Sequence, residues 1–231
     1  MSSAARPGIR LPDRLADRAR DVLEGRTPPV APRDAATVML LRPLLGGAGP
    51  AGPTGQPAES AEAARSATPD APGLQVYMLR RQSSMAFAPG AFVFPGGSVD
   101  ARDAEIEVGW AGPDALEWGR MIDAPADLAR ALVCAAVRET FEECGVLLAG
   151  PTPDTVVADT RGEDWEADRA ALLERSVSLA GLLRRRGLVL RSDLLRPWSR
   201  WVTPVTEERR YDTRFFAAAL PVGQQIGRAH V

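Results

Sequence analysis

Apolar residues recur at helical spacing in three stretches of the chain. Residues 11–25 carry a weak apolar stripe, and residues 125–144 carry a stronger one. The second stretch begins with Pro125, which suits a first helical turn, and stops at Gly145, which suits a helix end. A third stretch, residues 164–186, ends in three arginines that favour a helix C-terminus. We predict a helix over each stretch.

Short apolar runs of β type lie between these helices. The first two predicted strands can pair as a hairpin with a long connection, because the cost of closing a loop rises only slowly with its length. Together the elements predict an α/β fold, an α/β/α sandwich with a mixed β-sheet. The predicted strands cover residues 37–41, 74–79, 91–94, 198–205 and 211–218.

The ends and one internal segment differ from the rest of the chain. We expect an N-terminal extension over 1–33 and one domain over 34–225. Within it, residues 44–73 are mostly Gly, Pro, Ala and Ser, so we expect a flexible loop. Residues 226–231 read like a translated sequencing adapter and predict a non-native tail on a truncated gene, the alternative being an ordinary polar tail.

Composition excludes several kinds of chemistry. All 28 basic residues are Arg, so a Walker-loop or Schiff-base Lys is excluded. The one histidine, His230, lies in the suspect tail, which disfavours a catalytic triad or a histidine-ligated zinc. A net charge of −2 predicts no nucleic-acid partner, and the lack of a long apolar run predicts a cytoplasmic protein without membrane contact. Cys134 and Cys144 are expected to be small buried hydrophobes.

Three carboxylates, Glu139, Glu142 and Glu143, lie at positions i, i+3 and i+4 of the second predicted helix. These positions share one helix face, so their charges repel by a few tenths of a kcal/mol per pair. A Mg²⁺ or Mn²⁺ ion, which prefers oxygen ligands, would turn that repulsion into a binding site. The alternative is a solvated acidic turn.

The run from Arg138 to Val146, with the Phe-Pro-Gly-Gly segment 94–97 upstream, resembles the Nudix box, and the chain is identified as a Nudix hydrolase. That box runs Gly, five residues, Glu, seven residues, then Arg-Glu-x-x-Glu-Glu-x-Gly. Forty residues separate Gly97 from Arg138, so about 27 are inserted, and counting back from Arg138 puts Arg130 where the first Glu belongs. An insertion at this point, over residues 98–124, resembles the one that is typical of the peroxisomal coenzyme A diphosphatases and their bacterial relatives.

The resemblance implies a role for each residue of the box. Glu142 and Glu143 would be metal ligands, and Glu139 a ligand, the base for the attacking water, or both. Arg138 would pair with one of these carboxylates, and the carbonyl of Gly97 would complete the coordination. An additional ligand would come from one of five further acids, namely Asp100, Asp103, Glu105, Glu207 or Glu208.

Substrate contacts are expected from residues outside the acidic helix. Arg81 and Gly96 fall in register with the upstream pattern of coenzyme A diphosphatases, although Arg81 could be a surface strand residue. Arg210 and Arg214 flank Asp212 on one face of a strand, where they could hold phosphate or pair with Asp212.

The expected function is metal-dependent hydrolysis of a diphosphate linkage in a nucleoside diphosphate derivative, with coenzyme A or an acyl-coenzyme A as a possible substrate. The alternative is a non-catalytic Nudix fold that serves as a ligand-binding or regulatory module. The displaced first Glu favours the alternative, and the intact Glu142–Glu143 pair opposes it.

Overall fold

The computed structural model of the protein describes residues 13–43, 73–81, 90–105 and 107–227. Within these ranges no helix is long and apolar enough to cross a membrane. The five α-helices described are α1 (Asp13–Leu23), α2 (Ala115–Ile122), α3 (Ala126–Cys144), α4 (Glu163–Leu173) and α5 (Leu179–Arg185). The strands are β1 (Arg33–Pro43), β2 (Leu74–Val76), β3 (Leu79–Arg80), β4 (Phe92–Val93), β5 (Gly96–Ser98), β6 (Gly109–Ala111), β7 (Ala149–Gly150), β8 (Val189–Arg191), β9 (Leu195–Val202) and β10 (Tyr211–Ala219).

The main sheet is built around β1. It pairs in parallel with β10 on one edge and antiparallel with both β2 and β5 on the other. The strand order is β2-β1-β10-β9, which makes β9 the outer strand on that side. The predicted hairpin is confirmed, since Pro43 is in register with Leu74. Most of its connection, residues 44–72, lies outside the described residues.

Helix α3 covers the buried face of this sheet. On β1 the side chains of Ala36, Val38 and Leu40 alternate inward, as the two-residue period of a strand requires. The helix starts directly after Pro125 and ends at Gly145, whose φ of 74° is left-handed and whose N–H donates to the carbonyl of Phe141. Both predicted ends of this helix are therefore confirmed.

The third predicted helix is in fact two helices. Helix α4 stops at Leu173, and Arg175 adopts a left-handed φ of 58°. A new helix, α5, starts after Ser178, whose hydroxyl accepts a hydrogen bond from the N–H of Gly181. The apolar periodicity alone predicted one helix over this stretch. The serine N-cap within it starts a second helix.

The insertion, residues 98–124, is folded into the domain. Asp114 and Glu117 form a reciprocal capping box that starts α2. From this helix Trp118 is only 1% exposed and meets Phe216 of β10 edge to face, with ring centroids 5.8 Å apart. Strand β6 joins a second sheet in the order β6-β8-β7. The fold is thus an α/β fold with a mixed sheet, as predicted.

The end of the chain departs from expectation. Residues 226–231 were predicted to be a non-native tail, but Ile226 packs against the core and the N–H of Gly227 donates to the carbonyl of Cys144 at 2.8 Å. That carbonyl lies in the last turn of α3 and has no partner within the helix, so the contact satisfies it. Residues 228–231 lie outside the described residues. Both cysteines are free and buried, as predicted, and burial raises the pKa of each thiol to about 12.

Candidate active site

The acidic face of α3 lies directly against β5. An N–H of β5, that of Gly96, donates to Oε2 of Glu143 at 2.9 Å. A Cβ placed on Gly97 would lie 2.3 Å from Oε1 of Glu139, so only glycine leaves room for this carboxylate. Neither glycine has a positive φ, so the reason for glycine at these positions is close packing and not an unusual backbone geometry.

Arg138 connects the carboxylates of α3. Its Nη1 donates to Oε1 of Glu139 at 2.8 Å and to Oε2 of Glu142 at 3.1 Å. Burial alone would lower the pKa of Arg138, but the hydrogen bond to Asp103 and the nearby carboxylates outweigh it and raise that pKa. The predicted pairing of Arg138 with a carboxylate of the box is therefore observed, and it involves two of them.

A fourth carboxylate, Asp103, reaches Arg138 from the insertion. Its Oδ1 accepts from Nε of Arg138 and its Oδ2 from Nη2, both at 2.9 Å. The Asp103 residue is only 3% exposed, and its Oδ2 also accepts from the N–H of Asp100 at 2.8 Å. Both oxygens are therefore occupied by protein donors, which argues against the expectation of a free metal ligand here.

Burial strongly affects the remaining acids of this helix face. It raises the pKa of Glu139 to about 7; Arg138 opposes the rise and Glu142 adds to it. It also raises the pKa of Glu143 to about 7, against the hydrogen bond from Gly96. For Glu142 burial raises the pKa as well, with Arg138 opposing. Buried like charges of this kind are stabilised by a cation.

The donor set fits a hard divalent cation by its chemistry. Glu139, Glu142 and Glu143 offer only oxygen atoms, and Arg138 supplies a compensating positive charge to two of them. Among the described residues, however, no three acidic, histidine or cysteine side chains are gathered around one point as metal ligands. The carboxylates instead turn toward Arg138 and the N–H of Gly96.

Two cavities meet at β5. One, of about 310 Å³, is lined by Arg81, Gly96, Gly97 and Ser98 and by the start of β10. The other, of about 770 Å³, reaches from Ser98 to Arg138 and Glu139 and carries Arg33 and Arg175 on its walls. The structure therefore brings two predicted substrate residues, Arg81 and Gly96, next to the acidic face.

The other two predicted substrate residues lie elsewhere. Arg214 is only 3% exposed; its Nε donates to the carbonyl of Ile122 at 3.0 Å, and its Nη1 contacts Asp212. Arg210 donates to the carbonyls of Thr203 and Val30. Burial and these partners correct the expectation of a phosphate contact for Arg214, and its alternative, pairing with Asp212, is observed.

Further acids proposed as ligands also have protein partners. Asp100 pairs with Arg102, whose hydrogen bond holds the pKa of that carboxyl well below its usual range. Glu105 accepts a hydrogen bond from the hydroxyl of Ser178. Arg130, which stands where the backward count puts the first Glu of the box, lies 4.8 Å from the ring centroid of Trp110.

The sequence did not predict that Asp103 is the partner of Arg138. The missing signal was the count in the other direction, because Asp103 follows Gly97 after five residues, as the first Glu of the box follows its Gly. Counting back from Arg138 assumes that the insertion lies between Gly97 and the first Glu, and it led to Arg130 instead.

The fold and this site indicate the class of protein: the chain is similar to the Nudix superfamily of hydrolases, the resemblance that the sequence predicted. The sequence model of the NUDT19 Nudix domain matches residues 114–225. Among solved structures, a NUDIX hydrolase from Alicyclobacillus acidocaldarius superposes with a TM-score of 0.61 at 29% identity, over 87% of this chain and 75% of that one. Nudix hydrolases generally use divalent metal ions.

Within the superfamily the chain resembles the NUDT19 branch. It is 30% identical to the acyl-coenzyme A diphosphatase NUDT19 of Gallus gallus, over 63% of this chain and 48% of that protein. The protein of the same name in Homo sapiens is also 30% identical, over 66% of this chain and 49% of its own length. The chain thus spans about half the length of these curated relatives.

Proposed function

We propose that the protein hydrolyses a diphosphate linkage in a nucleoside diphosphate derivative, with coenzyme A or an acyl-coenzyme A as its substrate and Mg²⁺ or Mn²⁺ as its cofactor. The observation that carries the proposal is the acidic face of α3 packed against Gly96 and Gly97. Similarity to proteins named acyl-coenzyme A diphosphatases supports the choice of substrate.

In this proposal the protein supplies ligands, charge and position. Glu139, Glu142, Glu143 and the carbonyl of Gly97 would hold the ion, which when bound supplies Lewis acidity and lowers the pKa of a water molecule. Glu139 borders the larger cavity, so its carboxylate can take the proton of an attacking water. Arg138 orients the carboxylates that it bridges.

The two cavities suit a long substrate with its diphosphate at the centre. They meet at Ser98, beside Gly97 and the carboxylate of Glu139, so the scissile linkage can lie there with one half of the substrate in each cavity. Arg81 on one side and Arg175 on the other offer positive charge to phosphate oxygens. Hydrolysis of a diphosphate needs little more than such charge and an in-line water.

One observation favours the alternative of a non-catalytic ligand-binding module. Arg138 contacts both Glu139 and Glu142, and within the described ranges the acids do not converge on one point. A module of this kind would bind a nucleoside diphosphate derivative without turning it over. The two functions differ in a single measurable property, namely the release of product in the presence of metal.

The test is a hydrolysis assay with coenzyme A, an acyl-coenzyme A, ADP-ribose and NADH, each with Mg²⁺ and with Mn²⁺, and with products identified by mass spectrometry. Glu142→Gln and Glu143→Gln should each remove nearly all activity, because a metal ligand is lost while the side chain keeps its shape. Glu174→Gln, the same change at an exposed position at the end of α4, is the matched control. Binding without turnover by the unmodified protein would support the module instead.

A further inference from the structure

Both its position in the sequence and its contacts in the site distinguish Asp103. It follows Gly97 at the spacing of the first acid of the Nudix box, and it is 35 residues before Arg138, to which it is bonded through both oxygens. We propose that Asp103 is this first acid, shortened from Glu to Asp, and that it is a positioning residue that acts through Arg138. The insertion then lies within residues 104–137. The two parts of the box are separated in the sequence but lie together in the structure.

The segment that carries Asp103 is held in one conformation. A 3₁₀ helix spans Ala101–Ala104, and Asp100 caps it by accepting from the N–H of Arg102 at 3.0 Å. In return, Asp103 accepts from the N–H of Asp100. This reciprocal capping box fixes the Asp103 carboxylate before it meets Arg138, so the shorter Asp side chain can reach the guanidinium.

Asp103 determines which edge of the guanidinium faces the other acids. It occupies Nε and Nη2 of Arg138, and the carbonyl of Ser98 also accepts from Nη2, at 3.0 Å. Only Nη1 is then left for Glu139 and Glu142. A planar guanidinium binds a carboxylate best through two parallel N–H bonds.

Without Asp103, that two-bond edge would become available to Glu139 or Glu142. Either carboxylate would then be neutralised more completely by Arg138 and would hold a metal ion less well. The identity of the reaction rests on the proposed function, but the effect on metal binding is independent of turnover.

The competing assignment is Arg130, reached by counting back from Arg138. Its guanidinium lies over the ring of Trp110, and it brings a positive charge where the box has a negative one. Asp103, in contrast, has the right charge, is buried and is bonded to Arg138. Both the count and the contacts therefore favour Asp103.

The experiment compares Asp103→Asn, which keeps the shape and removes the charge, with Asp103→Glu, which restores the acid of the box. Asp127→Asn, the same change at an exposed position in the first turn of α3, is the matched control. Mn²⁺ binding is measured by calorimetry without substrate, kcat and KM are measured with coenzyme A, and folding is followed by thermal melting.

We expect Asp103→Asn to weaken Mn²⁺ binding by about tenfold or more and to lower kcat by about 10- to 100-fold, with KM for coenzyme A nearly unchanged. Asp103→Glu should recover most of both losses, and Asp127→Asn should match the unmodified protein. A folded Asp103→Asn protein that binds Mn²⁺ with unaltered affinity would overturn the proposal, even if it melts at a lower temperature.

A double-mutant cycle covers the case in which Asp103→Asn alone does not fold. The double variant Asp103→Asn/Arg138→Gln removes both charges, and it should bind Mn²⁺ as Arg138→Gln alone does, because Asp103 acts only through Arg138. A further loss in the double variant would contradict that route. If the unmodified protein binds Mn²⁺ but hydrolyses no diphosphate, the proposed function fails while the role of Asp103 is still decided; if it binds no Mn²⁺, both fail.

Discussion

At the scale of single residues, the two glycines of β5 exclude side chains for different reasons. A Cβ on Gly96 would lie 2.5 Å from the carbonyl oxygen of Ala36 and 2.7 Å from the Cα of Thr37, both parts of the β1 backbone. The three atoms nearest to a Cβ on Gly97 all belong to the carboxylate of Glu139, the far end of a flexible side chain. The first contact therefore constrains the sheet, and the second constrains the site.

These two substitutions should separate stability from activity. We expect Gly96→Ala to reduce the free energy of unfolding by about 2–3 kcal/mol, because the strands must move apart. Gly97→Ala should cost about 1 kcal/mol or less but lower diphosphate hydrolysis by about tenfold or more, since Glu139 must rotate out of place. Urea unfolding and the coenzyme A assay measure the two effects. Equal losses of stability would contradict the distinction.

The placement of side chains was predictable where neighbouring positions in sequence remain neighbours in space. Glu139, Glu142 and Glu143 share a face because a helix brings i, i+3 and i+4 together. Alternation placed Arg214 on one face of its strand but could not tell that α2 covers that face. The contact of Asp103 with Arg138 joins residues 35 positions apart, so no local period could predict it.

At the scale of elements, one buried arginine fastens the insertion to the main sheet. Arg214 of β10 donates to the carbonyls of Ile122 and Asp123 at the end of α2, where helix carbonyls lack partners. The Nη1 of Arg214 also contacts Asp212, which in turn binds Arg200 of β9 through both oxygens. One side chain thus links α2 to two strands.

We expect Arg214→Met to lower the free energy of unfolding by about 2–3 kcal/mol, because it removes the donor to the carbonyls of Ile122 and Asp123 and the buried charge partner of Asp212. Arg210→Gln, at a less buried position directly before β10, should lower the free energy of unfolding by about 1 kcal/mol. Chemical unfolding of both variants measures the difference. If the folded Arg214→Met protein keeps its stability but loses affinity for coenzyme A, Arg214 is a substrate residue after all.

Element boundaries followed the same division between local and distant causes. The start and end of α3 were predictable because Pro125 and Gly145 act on their own backbone. The second sheet was not predictable, because β6, β7 and β8 are two or three residues long and are held by partners far along the chain.

At the scale of the whole molecule, the last described residues pack against the C-terminal end of α3 and the segment that follows it. Gln224 is buried, with Oε1 accepting from the N–H of Leu147 and Nε2 donating to the carbonyls of Leu147 and Val157. Two residues further on, Ile226 and Gly227 add the core contact and the hydrogen bond to Cys144 described above. This segment therefore belongs to the fold.

Shortening the chain tests that conclusion. Ending it after Gln225 should reduce the free energy of unfolding by about 1–2 kcal/mol, because the bond to Cys144 and the partly buried Ile226 are lost. Ending it after Gly227 keeps both contacts, so this protein should be the more stable of the two shortened forms. Identical melting temperatures for the two shortened proteins would show that residues 226 and 227 contribute nothing.

The parallel pairing of β1 with β10 has a consequence for the order of folding. The two central strands of the sheet are about 180 positions apart in the sequence. During synthesis β1 leaves the ribosome long before β10. Until β10 is made, the apolar side chains of β1 are exposed and can bind chaperones or aggregate. Because β5 is held by β1 and carries the glycines beside the acidic helix, the site should be among the last parts of the molecule to mature. Limited proteolysis of stalled nascent chains, with and without residues 211–219, would show when this protection appears.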